Sequence, residues 1–161
     1  GGLQWPCADE AHPGTRVLHT GRFPLGPRAA LRRIGYTPSP EARSEDFPFV
    51  LMTGRRLYGF NAGTMTSRTP NARLQPGDWL DMAPADAERL GLQEGARVRV
   101  RSRHGEAVLP MHRAEGLRAG ELFTTFHTAE TFINAVIGPH QDPYTHTPGY
   151  KVTAVRVEPV E

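Results

Sequence analysis

Residues 51–69 read LMTGRRLYGFNAGTMTSRT, an apolar run that gives way to three glycines, four threonines, three arginines and one asparagine without an acidic side chain. Nothing in that stretch suits an ordinary core. A strand that ends in Thr53-Gly54-Arg55 and then breaks into Gly, Asn and Thr presents backbone N–H groups, hydroxyls and guanidinium donors. Donors of this kind suit a ligand that is anionic or rich in acceptors. Successive N–H groups in a turn form an anion-binding concavity, and a guanidinium forks onto phosphate or carboxylate.

Other chemistries are poorly represented. There is no G-x-G-x-x-G after a strand, no P-loop, no H-E-x-x-H and no G-x-S-x-G. Four serines without a nucleophile elbow argue against a serine hydrolase. The seven histidines are scattered, and His12, His19, His140 and His146 read as surface residues rather than ligands. Cys7, the lone cysteine, excludes an internal disulfide and a four-cysteine zinc or iron–sulfur site. Of 19 basic residues, Lys151 is the only lysine. That bias fits phosphate recognition, and it fits an arginine-favouring genome equally well. Arg97, Arg99 and Arg101 alternate with Val98 and Val100 and have Glu94 and Glu106 nearby, so they read as a solvated strand face rather than a nucleic-acid surface.

The elements that must position the donor stretch follow from periodicity and punctuation. At 161 residues with a net charge of +2, the chain has the length of one domain with an arm. Residues 1–46 are broken by Pro6, Pro13, Pro24, Pro27, Pro38 and Pro40 and read as an irregular Pro-rich arm or the tail of a preceding domain. Residues 47–161 form the ordered domain, beginning with a buried strand from Phe47 to Met52. A short strand follows at Trp79–Met82. Pro84 then suits the first turn of a helix over ADAERL, with Ala83 a poor N-cap and Gly91 the stop. ARVRVRSR pairs across a turn at His104-Gly105 with EAVLPM as a hairpin. ELFTTFH is a further strand, AETFINAVI a short helix, and YKVTAVRVE a last strand with Val152, Ala154 or Val155, and Val157 available for the interior. The fold class is mainly β with short helices, a barrel with mixed connections. No apolar run approaches the roughly 20 residues of a membrane span. The opening GGLQWPCADE has neither an initiator Met nor the regions of a signal peptide, so the chain reads as a piece of something larger in a reduced, cytoplasmic setting.

The donor stretch, followed by LGLQEGARVRVRSRHGE and DPYTHTPGYKVTAVRVE, resembles the C-terminal domain of molybdopterin oxidoreductases of the dimethyl-sulfoxide-reductase family, and within it the formate dehydrogenase catalytic subunits. The leading GGLQWPC segment is similar to the part that precedes this domain there. The resemblance covers almost the whole chain and implies a six-stranded double-psi β-barrel. It also implies a bis(molybdopterin guanine dinucleotide) cofactor carrying Mo or W and shared with upstream domains. Carried over position by position, it implies cofactor contacts from Thr53, Gly54 and Arg55, and from a second turn at Asn61, Gly63, Thr64, Met65 and Thr66. It implies further contacts from His127, Asn134, Tyr150 and Lys151. Arg56 and Gly59 depart from it, standing where some members have an acidic residue and a histidine. Cys7 does not match the metal's protein ligand, which lies far upstream. No catalytic residue or metal ligand is therefore expected in this chain.

The implied function is binding and orienting a cofactor within a formate-dehydrogenase-like subunit, with this piece inactive alone. Expected partners are the upstream domains of the same subunit, which would carry any iron–sulfur cluster, and electron-transfer subunits, with no nucleic acid and no membrane span. The alternatives are the same domain of a nitrate reductase or another molybdopterin oxidoreductase, or a stand-alone double-psi barrel serving as an interaction module.

Overall fold

The structure, a computed structural model, describes residues 2–28 and 30–160. The chain divides into two compact units, Gly1–Thr37 and Pro38–Glu161. Among the described residues of the first, no helix or strand longer than an isolated bridge forms. Its order comes from turns. The Thr15 N–H donates to the Gln4 carbonyl (2.7 Å), and the Thr15 hydroxyl donates to the Pro6 carbonyl (2.6 Å).

In the second unit, β1 (Phe49–Gly54), β2 (Leu80–Met82), β3 (Arg97–Arg101), β4 (Glu106–Arg113), β5 (Glu121–Thr125) and β6 (Thr153–Pro159) close into one barrel, in the order β1-β5-β2-β4-β3-β6. The pairs β1/β5 and β2/β4 run parallel and the other four antiparallel, consistent with the double-psi barrel expected. Alternation explains the register of the hairpin. Val98 and Val100 are fully buried while Arg97 and Arg101 face water, and Ala107, Leu109 and Met111 face inward from β4. With Phe49, Leu51, Leu80, Met82, Leu122 and Val155 they fill the interior. Each large side chain buried there contributes about 1.5–3 kcal/mol. On β6, Thr153, Val155 and Val157 point to the inner face, Ala154 is buried on the opposite face, and Val152 lies before the strand.

One α-helix, α1 (Pro84–Arg89), follows β2 with Pro84 in its first turn and Ala83 making no side-chain cap. It ends where Gly91 takes φ +66. There the Gly91 N–H reaches the Glu88 carbonyl and the Leu92 N–H the Ala87 carbonyl, a paired closure that satisfies two otherwise orphaned carbonyls. The helix expected over AETFINAVI is only a 3-10 turn at Ile133–Val136. Phe132 before it sits in the left-handed region at φ 43, which no α-helix can pass through. The unit containing the barrel begins at Pro38, because Glu41 reaches into it and accepts from the Ala154 N–H, 113 residues away.

Candidate functional site

The first parallel pair decides where the site lies. Parallel β1 and β5 end at the same rim, Gly54 opposite Thr125, so the connections that leave them emerge side by side. The connection after β1 carries Arg55 through Thr66, and the one after β5 carries Phe126 through Asn134. The approach to β6 supplies Tyr150 and Lys151.

A cleft of about 470 Å³ opens there, lined by Gly54, Arg55, Phe126, Asn134, Tyr150 and Lys151. Five of the twelve expected contact residues meet in it. Lys151 Nζ donates to the Thr53 carbonyl oxygen (2.5 Å), which leaves its other two protons free. The same strand end is tied down twice more, since both the Thr53 N–H (3.1 Å) and its hydroxyl (2.8 Å) donate to the Tyr150 carbonyl. Arg55 is held in a fork: Nε (3.1 Å) and Nη2 (2.8 Å) both donate to Asn61 Oδ1, leaving its remaining donors available. Asn134 is exposed, and among the described residues its side chain has no hydrogen-bond partner, which leaves its amide to a ligand. Thr64 lies in an adjoining hollow of about 250 Å³ that shares Phe126 and Asn134 with the cleft.

The other expected residues brace this arrangement or stand beside it. Gly63 takes φ +70, and a Cβ on it would overlap the His127 carbonyl oxygen. The turn therefore packs on β5's exit only because position 63 has no side chain. His127 is buried, with Nδ1 2.5 Å from the Asn61 carbonyl and Nε2 3.4 Å from the Arg56 N–H. Both ring nitrogens are thus engaged by backbone, Nδ1 placed to donate to a carbonyl and Nε2 to accept from an N–H. A side chain at Gly59 would run into the His127 ring, at 2.5 Å from its Cδ2. Thr66 accepts the Phe60 N–H on its hydroxyl (3.3 Å), and Met65 is exposed.

Several contributors carried no signal in the sequence. Asp78, buried in the lead-in to β2, accepts from the Thr125 hydroxyl, the His127 N–H (3.1 Å), the Thr128 N–H (2.9 Å) and the Thr128 hydroxyl (2.8 Å). It fixes the path on which Phe126 and His127 stand. A Gly-Asp pair in a turn gives no hint of that reach. Arg56 turns inward, forms an ion pair with Asp81 and lies over the Trp79 ring at 4.5 Å. His112 Nδ1 (2.8 Å) and Trp79 Nε1 (3.0 Å) meet the other oxygen of Asp81.

The cleft has the chemistry of a grip on one side of a large ligand. Two cations and a free amide face it, with Phe126 and Tyr150 offering aromatic surface, and its volume falls within the range of ligand clefts. At the floor, a Cβ on Gly54 would lie 2.6 Å from the Phe123 ring and 3.8 Å from Lys151 Nζ, so only glycine leaves the floor open. A planar heterocycle with acceptors and phosphate oxygens fits this donor set.

A family model described as the molydopterin dinucleotide binding domain matches residues 49–154. The F420-dependent formate dehydrogenase 1 subunit alpha of Methanococcus maripaludis is 34% identical over 162 residues, covering 99% of this chain and 24% of its own length. The corresponding subunit of Methanocaldococcus jannaschii is 33% identical over 159 residues, covering 98% of this chain and 24% of its own. The assimilatory nitrate reductase catalytic subunit of Bacillus subtilis is 30% identical over 165 residues, covering 99% and 23%. The chain thus spans about a quarter of the length of the curated relatives it matches. Among solved structures, acetylene hydratase from Pelobacter acetylenicus superposes with a TM-score of 0.57 at 16% identity, over 70% of this chain and 18% of that one, a likeness of fold. No helix among the described residues is long and apolar enough to cross a membrane.

Proposed function

This chain belongs to the family of molydopterin dinucleotide binding domains, and from that premise we propose that it grips the cofactor of a larger formate-dehydrogenase-like oxidoreductase subunit. The observation that carries the reading is the cleft in which Arg55, Asn134, Tyr150 and Lys151 converge from three separate connections. The formate dehydrogenase subunits at 33–34% identity over nearly the whole chain favour formate as the substrate of the parent. The nitrate reductase at 30% keeps nitrate as the second reading. The greater length of all these relatives favours a domain within a subunit over a stand-alone interaction module.

A bound pterin-held Mo or W would supply the two-electron chemistry that no side chain can. The residues here bind and orient. Lys151 and Arg55 offer positive charge and unused N–H donors to phosphate or pterin oxygens. Asn134 offers both a donor and an acceptor to a ring edge, and Phe126 and Tyr150 cover apolar faces. Asn61 holds the Arg55 fork in place, and His127 with Gly63 holds Asn61. The opposite side of the ligand, any iron–sulfur cluster and the electron-transfer partners belong to the upstream domains and to other subunits. Alone, this piece is inactive.

The test is a titration of the 161-residue chain with a guanosine phosphate and with released pterin cofactor, followed by NMR. A half-site loses the burial shared with the missing domains, so Kd on the order of 0.1–1 mM is expected, weakened by salt. Asn134→Ala is the sharpest control, because the Asn134 side chain makes no bond that the fold would miss, and Lys151→Ala is the second. Absence of binding at several millimolar, or binding unchanged in both variants, would refute this reading.

A further inference from the structure

Beside the cleft stands a second group of side chains that the cofactor reading does not use. Glu41 from the lead-in, His104 from the turn between β3 and β4, and His140 from the connection after the 133–136 turn each offer one ligand atom, all within 4.8 Å of one another. Both imidazoles point Nε2 at the same carboxylate oxygen: His104 lies 2.8 Å and His140 3.3 Å from Glu41 Oε1. The second oxygen, Oε2, is occupied separately by the Ala154 N–H at 3.2 Å and by Arg103 Nη1 at 3.6 Å. The carboxylate is therefore divided, one oxygen tied to the barrel and the other facing two nitrogens.

We propose that Glu41, His104 and His140 form a binding site for a divalent transition-metal ion of the Zn²⁺ class. Two imidazole nitrogens and one carboxylate oxygen are an N/O set that zinc takes readily, with a fourth position left for water. A tetrahedral ion with bonds of about 2.0–2.1 Å holds its ligand atoms roughly 3.4 Å apart. The three donors need shift only by about 1 Å or less from where they stand to reach that spacing. His140 is free to make that adjustment, since its side chain is 44% exposed on an irregular connection.

Two further features point the same way. Gly138 presents bare backbone where the donors converge, and a Cβ there would lie 2.6 Å from His104 Nε2 and 3.1 Å from Glu41 Oε1. Any side chain would fill the space an ion and its water need. Glu41, Gly138 and His140 also border an open hollow of about 180 Å³, which gives an entry path and room for the fourth ligand. Arg103 weakens the attraction for a cation, though it sits on the oxygen that does not face the imidazoles. A bound ion would cross-link the lead-in, the hairpin turn and the connection that runs on to Tyr150 and Lys151, whose residues line the same hollow.

The test uses the 161-residue chain stripped with chelator and titrated with Co²⁺ as a spectroscopic probe, then with Zn²⁺. One Co²⁺ per chain is expected, with visible bands of an N/O site that Zn²⁺ abolishes, and Zn²⁺ should raise the melting temperature. His140→Ala removes an exposed ligand without touching the core, and Glu41→Gln removes the anionic one. Each should weaken binding by more than about 10-fold, with the far-UV spectrum of His140→Ala unchanged. Lack of stoichiometric binding in the parent chain, or equally tight binding in His140→Ala, overturns the assignment. The outcome is independent of whether the neighbouring cleft holds a pterin.

Discussion

Asp78 and Glu41 are both buried carboxylates in connections outside the strands, 4% and 6% exposed, yet they do opposite things. Asp78 has both oxygens filled by hydroxyl and backbone donors of one short stretch, Thr125 to Thr128, and none of these donors is charged. Glu41 gives one oxygen to the fold and turns the other toward two imidazoles at the edge of an open hollow. The first carboxylate is closed. Its partners cannot leave without unmaking the exit of β5, so it behaves as part of the scaffold. The second has partners on separate connections, one of them half-exposed, and can exchange them for something else. Burial by itself therefore does not separate a brace from a site. What separates them is whether the partners are fixed and whether space remains beside them.

The largest effect should come from emptying the closed group. Asp78→Ala leaves the N–H groups of His127 and Thr128 and two hydroxyls without their acceptor, so a loss of about 3–5 kcal/mol is expected in urea unfolding. A loss below about 0.5 kcal/mol, typical of an ordinary surface change, would erase the contrast. Gly63→Ala tests the same brace from the facing turn. Backbone at φ +70 and overlap with the His127 carbonyl should together cost about 2–3 kcal/mol. Thermal denaturation would show whether that turn is clamped as described, and an unchanged midpoint would mean it is not.

The smallest effect lies on the open side. Glu41→Gln, with metal removed by chelator, keeps an acceptor for the Ala154 N–H and should cost only about 1–2 kcal/mol at neutral pH. Its pH dependence is more telling than its size. The folded-state pKa of Glu41 lies below its ordinary value, so the carboxylate's contribution is complete above the ordinary glutamate range and is lost as pH falls through the lowered value. The gap between parent and variant should therefore narrow as pH falls below the ordinary glutamate range. A gap that stays constant across that range would show that the charge of Glu41 contributes nothing to the fold.

Much of the barrel was legible because it is written in local pattern. Val98 and Val100 against three arginines, the Gly91 stop and the His104-Gly105 turn are short-range signals, and each element formed where its pattern put it. The expected helix over AETFINAVI shrank to one 3-10 turn because Phe132 is left-handed, a local conformation that sequence propensity does not reveal. At the site, the residues carried over by resemblance include five that line one cleft, whereas Phe126 and Asp78 had no motif to announce them. His140 looked like a scattered surface histidine, and Glu41 lay in a stretch assigned to the arm. Only the fold brings them to His104, since Glu41 and His104 are 63 residues apart. Clusters assembled from separate connections leave no spacing to read.

The strand order carries a consequence for how the molecule is made. β1 pairs on one side with β5 and on the other with β6, and its end is held by Tyr150, 97 residues further along the chain. During synthesis this strand leaves the ribosome with neither neighbour available, and it waits until about a hundred further residues have been delivered. Closing so long a loop costs entropy before any pairing rewards it, which places this chain among slow folders. Until then FVLMTG is an apolar strand with two unpaired edges, the segment through which a nascent chain would aggregate and on which a holding chaperone would act.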